Sequence, residues 1–207
     1  MINLILMLFL SQVPYPLPPM GEGFKSGEWS PYDFKGTEYF KYEVKGVEEG
    51  KIKKGYEIID IKKSGDKYKL KIEGKYGESE GTFTLTLDNR EDIPGAIISQ
   101  VMFNPYLAPL AISLFSPAWT FYFTLAGISF EEGSKWKTKD EEGNVTEMEV
   151  TGSETYAGKK GKKLIVKENG KETWVIVWAK DVALPLYIKM GKEGESTYEL
   201  KLIEYKE

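Results

Sequence analysis

Residues 93–130, IPGAIISQVMFNPYLAPLAISLFSPAWTFYFTLAGISF, run for 38 positions without a charged side chain. They stand in a chain in which 29% of residues are Asp, Glu, Lys or Arg. Three physical reasons compete for such a stretch: a membrane span, a buried structural insertion, or a lid over an apolar pocket. The prolines weigh against a span. Pro94, Pro105, Pro109 and Pro117 leave 95–104 and 118–130 as the longest proline-free pieces, both short of the roughly 20 residues a helix needs to cross a bilayer. A kinked span over 107–130 would also put the strands before and after it on opposite sides of a membrane, where they could not share a sheet. The stretch therefore reads as a covering element. Asp92-Ile93-Pro94 offers a helix start and Asn104-Pro105 a stop, which predicts a helix over 95–103. Ser116-Pro117 and Gly127 frame a second helix candidate, although Trp119, Phe121, Phe123 and Leu125 also alternate as a strand would. Short helices that are apolar on all sides must be buried against protein or ligand.

On both sides of this stretch the period is two. In Phe40-Lys41-Tyr42-Glu43-Val44-Lys45 the apolar residues take one face and the charges the other, and the pattern returns in 67–72 and in 82–87. Turn residues at Gly50, Gly65-Asp66, 74–77 and Asp88-Asn89 divide 37–88 into four antiparallel strands. After the uncharged stretch come Lys135-Trp136-Lys137, then strands around Met148, 164–166, 174–179, 184–189 and 198–205. Asn169-Gly170 is the strongest hairpin cue among the turns between them. The total is about ten strands without intervening helical periods, which predicts an all-β fold with short helices: a curved antiparallel sheet or incomplete barrel covered by the apolar insertion at 93–130. The strand Trp174-Val175-Ile176-Val177-Trp178 is apolar on both faces, so something must cover its second face. The insertion is the expected cover.

At 207 residues with 41% hydrophobic and 14% aromatic side chains, one domain and one core are expected. The 28 basic and 32 acidic residues are interspersed, leaving no basic face for phosphates, so nucleic acid is excluded as a natural partner. His and Cys are both absent, which removes histidine-dependent nucleophile chemistry, thiolate redox work and imidazole or thiolate metal sites. No cofactor is implied. The Lys- and Glu-rich, Gln-poor composition matches the bias of hyperthermophilic proteins. Residues 1–10, MINLILMLFL, have the length of a signal-peptide apolar core, without a preceding basic residue or a following small-x-small cleavage site. Pro14, Pro16, Pro18 and Pro19 then read as an extended tether. Residues 1–20 are thus a signal-peptide-like segment and tether, and 29–207 a single β domain placed outside the cytoplasm.

Residues 150–166, VTGSETYAGKKGKKLIV, and 174–205, with Leu184-Pro185-Leu186 and a closing Tyr-x-Leu-x-Leu strand, resemble the hairpin and ending of small exported β-proteins of the DUF3108 group. Gly133 and Trp136 occupy its G-x-x-W step. That group is similar in turn to the periplasmic lipoprotein carriers and receptors. The resemblance covers about 37–205 and implies an incomplete antiparallel barrel around helices with a hydrophobic cavity. It implies no catalytic residues, and without a cysteine there is no lipid-modified anchor.

The smaller motifs carry little. Asn144-Val145-Thr146 is a glycosylation sequon, meaningful only on an exported chain, and Glu131-Glu132 and Glu141-Glu142 lie in lysine-containing loops that solvate them. The first reading is therefore a non-enzymatic protein that binds a hydrophobic small molecule or lipid between sheet and lid, with a peripheral membrane association compatible with that role. Phe103, Trp119, Phe123, Trp136, Trp174, Ile176 and Trp178 are the expected lining. The alternatives are a cell-surface structural or interaction module with a filled core, and a carboxylate-dependent hydrolase, for which no spacing predicts the two converging acids.

Overall fold

A computed structural model describes residues 33–48, 50–114, 131–191 and 197–207. The described residues form ten strands: β1 (Glu38–Glu48), β2 (Lys51–Ser64), β3 (Lys67–Tyr76), β4 (Ser79–Leu87), β5 (Lys135–Lys139), β6 (Val145–Tyr156), β7 (Lys159–Glu168), β8 (Lys171–Trp178), β9 (Tyr187–Met190) and β10 (Thr197–Lys206). Between β4 and β5 lie helix α1 (Ile93–Phe103), a 3-10 turn (Pro105–Leu107) and helix α2 (Ala108–Leu114). The strands form one antiparallel sheet in the order β4-β3-β2-β1-β10-β9-β8-β7-β6-β5, which is not closed. β1 and β10 meet at its middle, and mid-chain strands form its edges.

The alternation read in the sequence is what builds this sheet. Phe40, Tyr42 and Val44 are fully buried, and Lys41, Glu43 and Lys45 lie between them on the other face. Bulges between Lys41 and Tyr42, Val150 and Gly152, and Val166 and Lys167 bend the sheet. The bend is deep enough that β6 touches β10 although three strands separate them in the order. The β7–β8 hairpin turns on Asn169 and Gly170 at φ 50 and 79, both in the left-handed region that a two-residue turn of this type requires.

Several expectations are corrected. The helix begins at Ile93 and not 95, because a proline in the first turn costs no hydrogen bond. It is not buried on all sides: Ile93, Ile97 and Val101 form its buried stripe, whereas Phe103 is 84% exposed. α2 has no counterpart in the predicted elements, since Pro109 reads as a breaker and instead occupies its first turn. The helix candidate at 116–127 lies outside the described residues. Gly74, read as part of a turn, belongs to β3. The 184–189 strand shortens to β9; 182–184 are buried ahead of it, and Leu186 donates its N–H to Val177 and accepts from the Leu202 N–H. The described part of the insertion makes its main contacts with β3, β4 and β10, not with the two-faced strand β8. No helix among the described residues is long and apolar enough to cross a membrane.

Candidate ligand-binding face

Because every pair is antiparallel with known register, the inner face can be followed strand by strand. One row runs Trp136, Met148, Val166, Trp174, Met190, each the direct partner of the next. The neighbouring row runs Val150, Leu164, Ile176, Ile188, Leu200, Val44. Side chains opposite one another across a pair are in reach, so the two rows form one apolar surface across seven strands. No charge interrupts it. Trp174, Ile176 and Trp178 are 5%, 0% and 4% exposed, and Trp136 at the β5 edge is half-buried.

A third row differs in kind: Leu202, Tyr42, Glu57, Gly74, Gly81. The two glycines make a notch. A Cβ at Gly81 would lie 2.4 Å from the Tyr106 ring, and one at Gly74 would lie 3.0 Å from Leu107. The turn leading into α2 is therefore seated on bare backbone. Beside the notch Glu57 is completely buried. Its Oε1 accepts the Leu110 N–H at 3.2 Å, and its Oε2 has no hydrogen-bond partner among the described residues. Burial pushes the carboxyl up to about 8, only partly offset by the Leu110 N–H, so at neutral pH the acid is mostly protonated. Tyr42 donates its hydroxyl to the Pro185 carbonyl at 2.9 Å. Burial also raises Glu38, but there the Lys35 N–H at 2.6 Å and the Tyr205 hydroxyl at 3.2 Å satisfy the carboxylate.

The outer face of β8 is flanked by side chains of its neighbouring strands. Val177 pairs with Tyr187 and Lys163, and Tyr156 stacks on Tyr187 at 5.2 Å. Glu154 binds both the Tyr156 hydroxyl and Lys163. Tyr187, with Tyr156 stacked on it, thus lies beside Val177 on the outer side of β8.

Of the expected lining residues, Trp136, Trp174, Ile176 and Trp178 share the inner face. Phe103 stands apart on the exposed side of α1, and Trp119 and Phe123 lie outside the described residues. Among the described residues are two open grooves. One, of about 400 Å³, lies along the edge by Trp136, Met148, Ile165 and Lys167. The other, of about 390 Å³, is polar and lies by Tyr68, Asp88 and Arg90. Neither reaches Trp174, Ile176 or Trp178. Among the described residues no group of three or more carboxylates is placed to hold a metal ion.

No family model matches the chain, and no curated protein matches it. Among solved structures it is similar to MucB, at 10% identity and a TM-score of 0.42 over 84% of this chain and 54% of that one. MucB has also been solved in a Pseudomonas aeruginosa MucA/MucB complex, matched at 12% identity and TM-score 0.40 over 83% and 52% of the chains. The chain thus spans about half the length of MucB. A Bacteroides fragilis protein with a YmcC-like fold matches at 10% identity and TM-score 0.34 over 88% and 100%. A Vibrio parahaemolyticus domain named for outer membrane lipoprotein sorting matches at 11% and 0.23 over 84% and 86%. The similarity to exported β-proteins is structural and distant.

Proposed function

We propose that the protein is a non-enzymatic binding protein that holds a hydrophobic small molecule or lipid between the inner face of its sheet and the 93–130 segment, outside the cytoplasm. The observation that supports this is the unbroken apolar row from Trp136 to Met190 on a sheet left open at the β5 edge. The row grades from a half-buried tryptophan at that edge to a buried one at Trp174. The row itself carries no charge, although the groove along that edge is flanked by Lys135, Lys137, Glu147, Glu149 and Lys167. Trp119 and Phe123, outside the described residues, are kept in the proposed lining, and the exposed ring of Phe103 suits contact with a membrane surface. The apolar 1–10 segment supports the location.

A filled core that serves a structural or partner-binding role is the second reading. It is favoured by the near-complete burial of Trp174 and Trp178 and by the distance of both grooves from them. Native mass spectrometry of protein purified without detergent, with a titration of a fluorescent fatty acid, separates the two. A retained mass increment or a saturable titration supports binding. A consistently unliganded mass together with no titration sinks it and assigns the filled core.

A further inference from the structure

Glu57 sits where an ionisable group controls a movable part. Its neighbours in the sheet, Tyr42 and Gly74, are held by the strand ladder, whereas what lies over it is α2, joined to it by the Leu110 N–H. Lifting α2 breaks no rung of the sheet, and it gives the carboxyl access to water. We propose that Glu57 is a proton-operated latch: neutral, it seats the 105–114 segment on the sheet, and ionised, it lets that segment lift while the sheet stays folded.

The geometry gives the sign. A buried carboxylate needs several donors to replace its lost hydration. Glu57 has one, and its Oε2 has none among the described residues. The titratable groups around it are phenols. Tyr42 faces it from β1 with its hydroxyl committed to Pro185, and Tyr106 lies over the adjoining glycines. Glu38 and Tyr205 act on Tyr42 and not on Glu57. No lysine or arginine is among the groups that shift Glu57, and burial raises its carboxyl from 4.5 to about 8. In the lifted state, wetted, it returns toward 4.5. The seated state is then favoured below that value and progressively weakened as pH rises to 8.

Hydrogen exchange followed by mass spectrometry on the full, unliganded chain tests this without reference to any ligand. After correction for intrinsic exchange, peptides over 105–114 should lose protection by roughly tenfold per pH unit above 4.5 and level off above 8, while those over 51–76 hold theirs. Glu57→Gln, which keeps the acceptor and removes the charge, should flatten the profile. A pH-independent wild-type profile, an unchanged slope in E57Q, or a matching loss over 51–76 overturns the latch. If E57Q does not fold, the carbon-detected NMR titration of the Glu57 carboxyl decides: a midpoint near 8 supports the proposal and one near 4.5 defeats it.

Discussion

Glu57 occupies a position whose phase belongs to the apolar face: Ile59 and Ile61 follow it at intervals of two, and all three are buried. A carboxyl in that phase is visible in the sequence, yet alternation alone does not reveal that the side chain is met by a single N–H. Its effect on stability has a definite sign. The folded protein keeps a proton that the unfolded chain gives up near 4.5, so this contribution is intact below 4.5 and is lost as pH rises through 8. E57Q should be close to wild type in stability at pH 5 and more stable at pH 7 by on the order of 2 kcal/mol, read from urea midpoints at the two pH values. Equal midpoint shifts at both would contradict it. On the apolar rows, Trp174→Ala should cost about 3 to 5 kcal/mol as a buried aromatic truncation, measured by chemical denaturation. A loss under 1 kcal/mol would mean that the site is far looser than its burial indicates.

At the scale of elements, the strands were the legible part. Period-two alternation and turn residues locate β1–β4 and β6–β8 because each strand's own sequence states which face is buried. The insertion was legible only as uncharged. Which strands it covers depends on Gly74 and Gly81, and in sequence those glycines resemble turn markers. Only their pairing across β3 and β4 makes them a notch. Gly81→Ala should displace Tyr106 and destabilise by about 1 to 3 kcal/mol, and the Gly81→Ala, Tyr106→Ala double variant should lose less than the sum of the two single losses, since the Cβ and the ring occupy the same space. Simple additivity of the two changes in thermal denaturation would show that the notch does not seat the ring. The motifs within 133–205 that resemble exported β-proteins point to the strand succession. None of them includes the row of glycines and acid, which lies on the other half of the sheet.

The whole molecule is tied together near the end of the chain. Lys159, at the tip of the β6–β7 hairpin, pairs with Asp181 at 2.6 Å and Glu207 at 3.1 Å and lies over the Tyr205 ring. Lys35 meets Glu207 at 2.6 Å. The bonds from Lys35 and Lys159 hold the Glu207 carboxyl down at about 2, so this contribution is present above 4.5 and fades as pH falls toward 2, opposite in direction to that of Glu57. The pairs are partly exposed, and Glu207→Gln should cost no more than about 1 kcal/mol at neutral pH and nothing near pH 2. A salt-insensitive loss, measured in low and high salt, would point away from an ionic origin. Sequence could not supply this cluster, because its members lie up to 172 positions apart and meet only once the sheet has bent.

The β1–β10 seam also sets how the fold answers to force. Tyr39 pairs with Lys206, and the register then runs inward to Val47 and Thr197, so the two outer ends of the strand pair lie side by side. Tension applied between residues 38 and 206 acts across the rungs and opens them one after another, like a zipper and not like a shear joint. A translocase or unfoldase gripping either end would therefore begin at the centre of the sheet and part it into two meanders at low load, while the lysine-bearing edge strand β5 is still paired to β6.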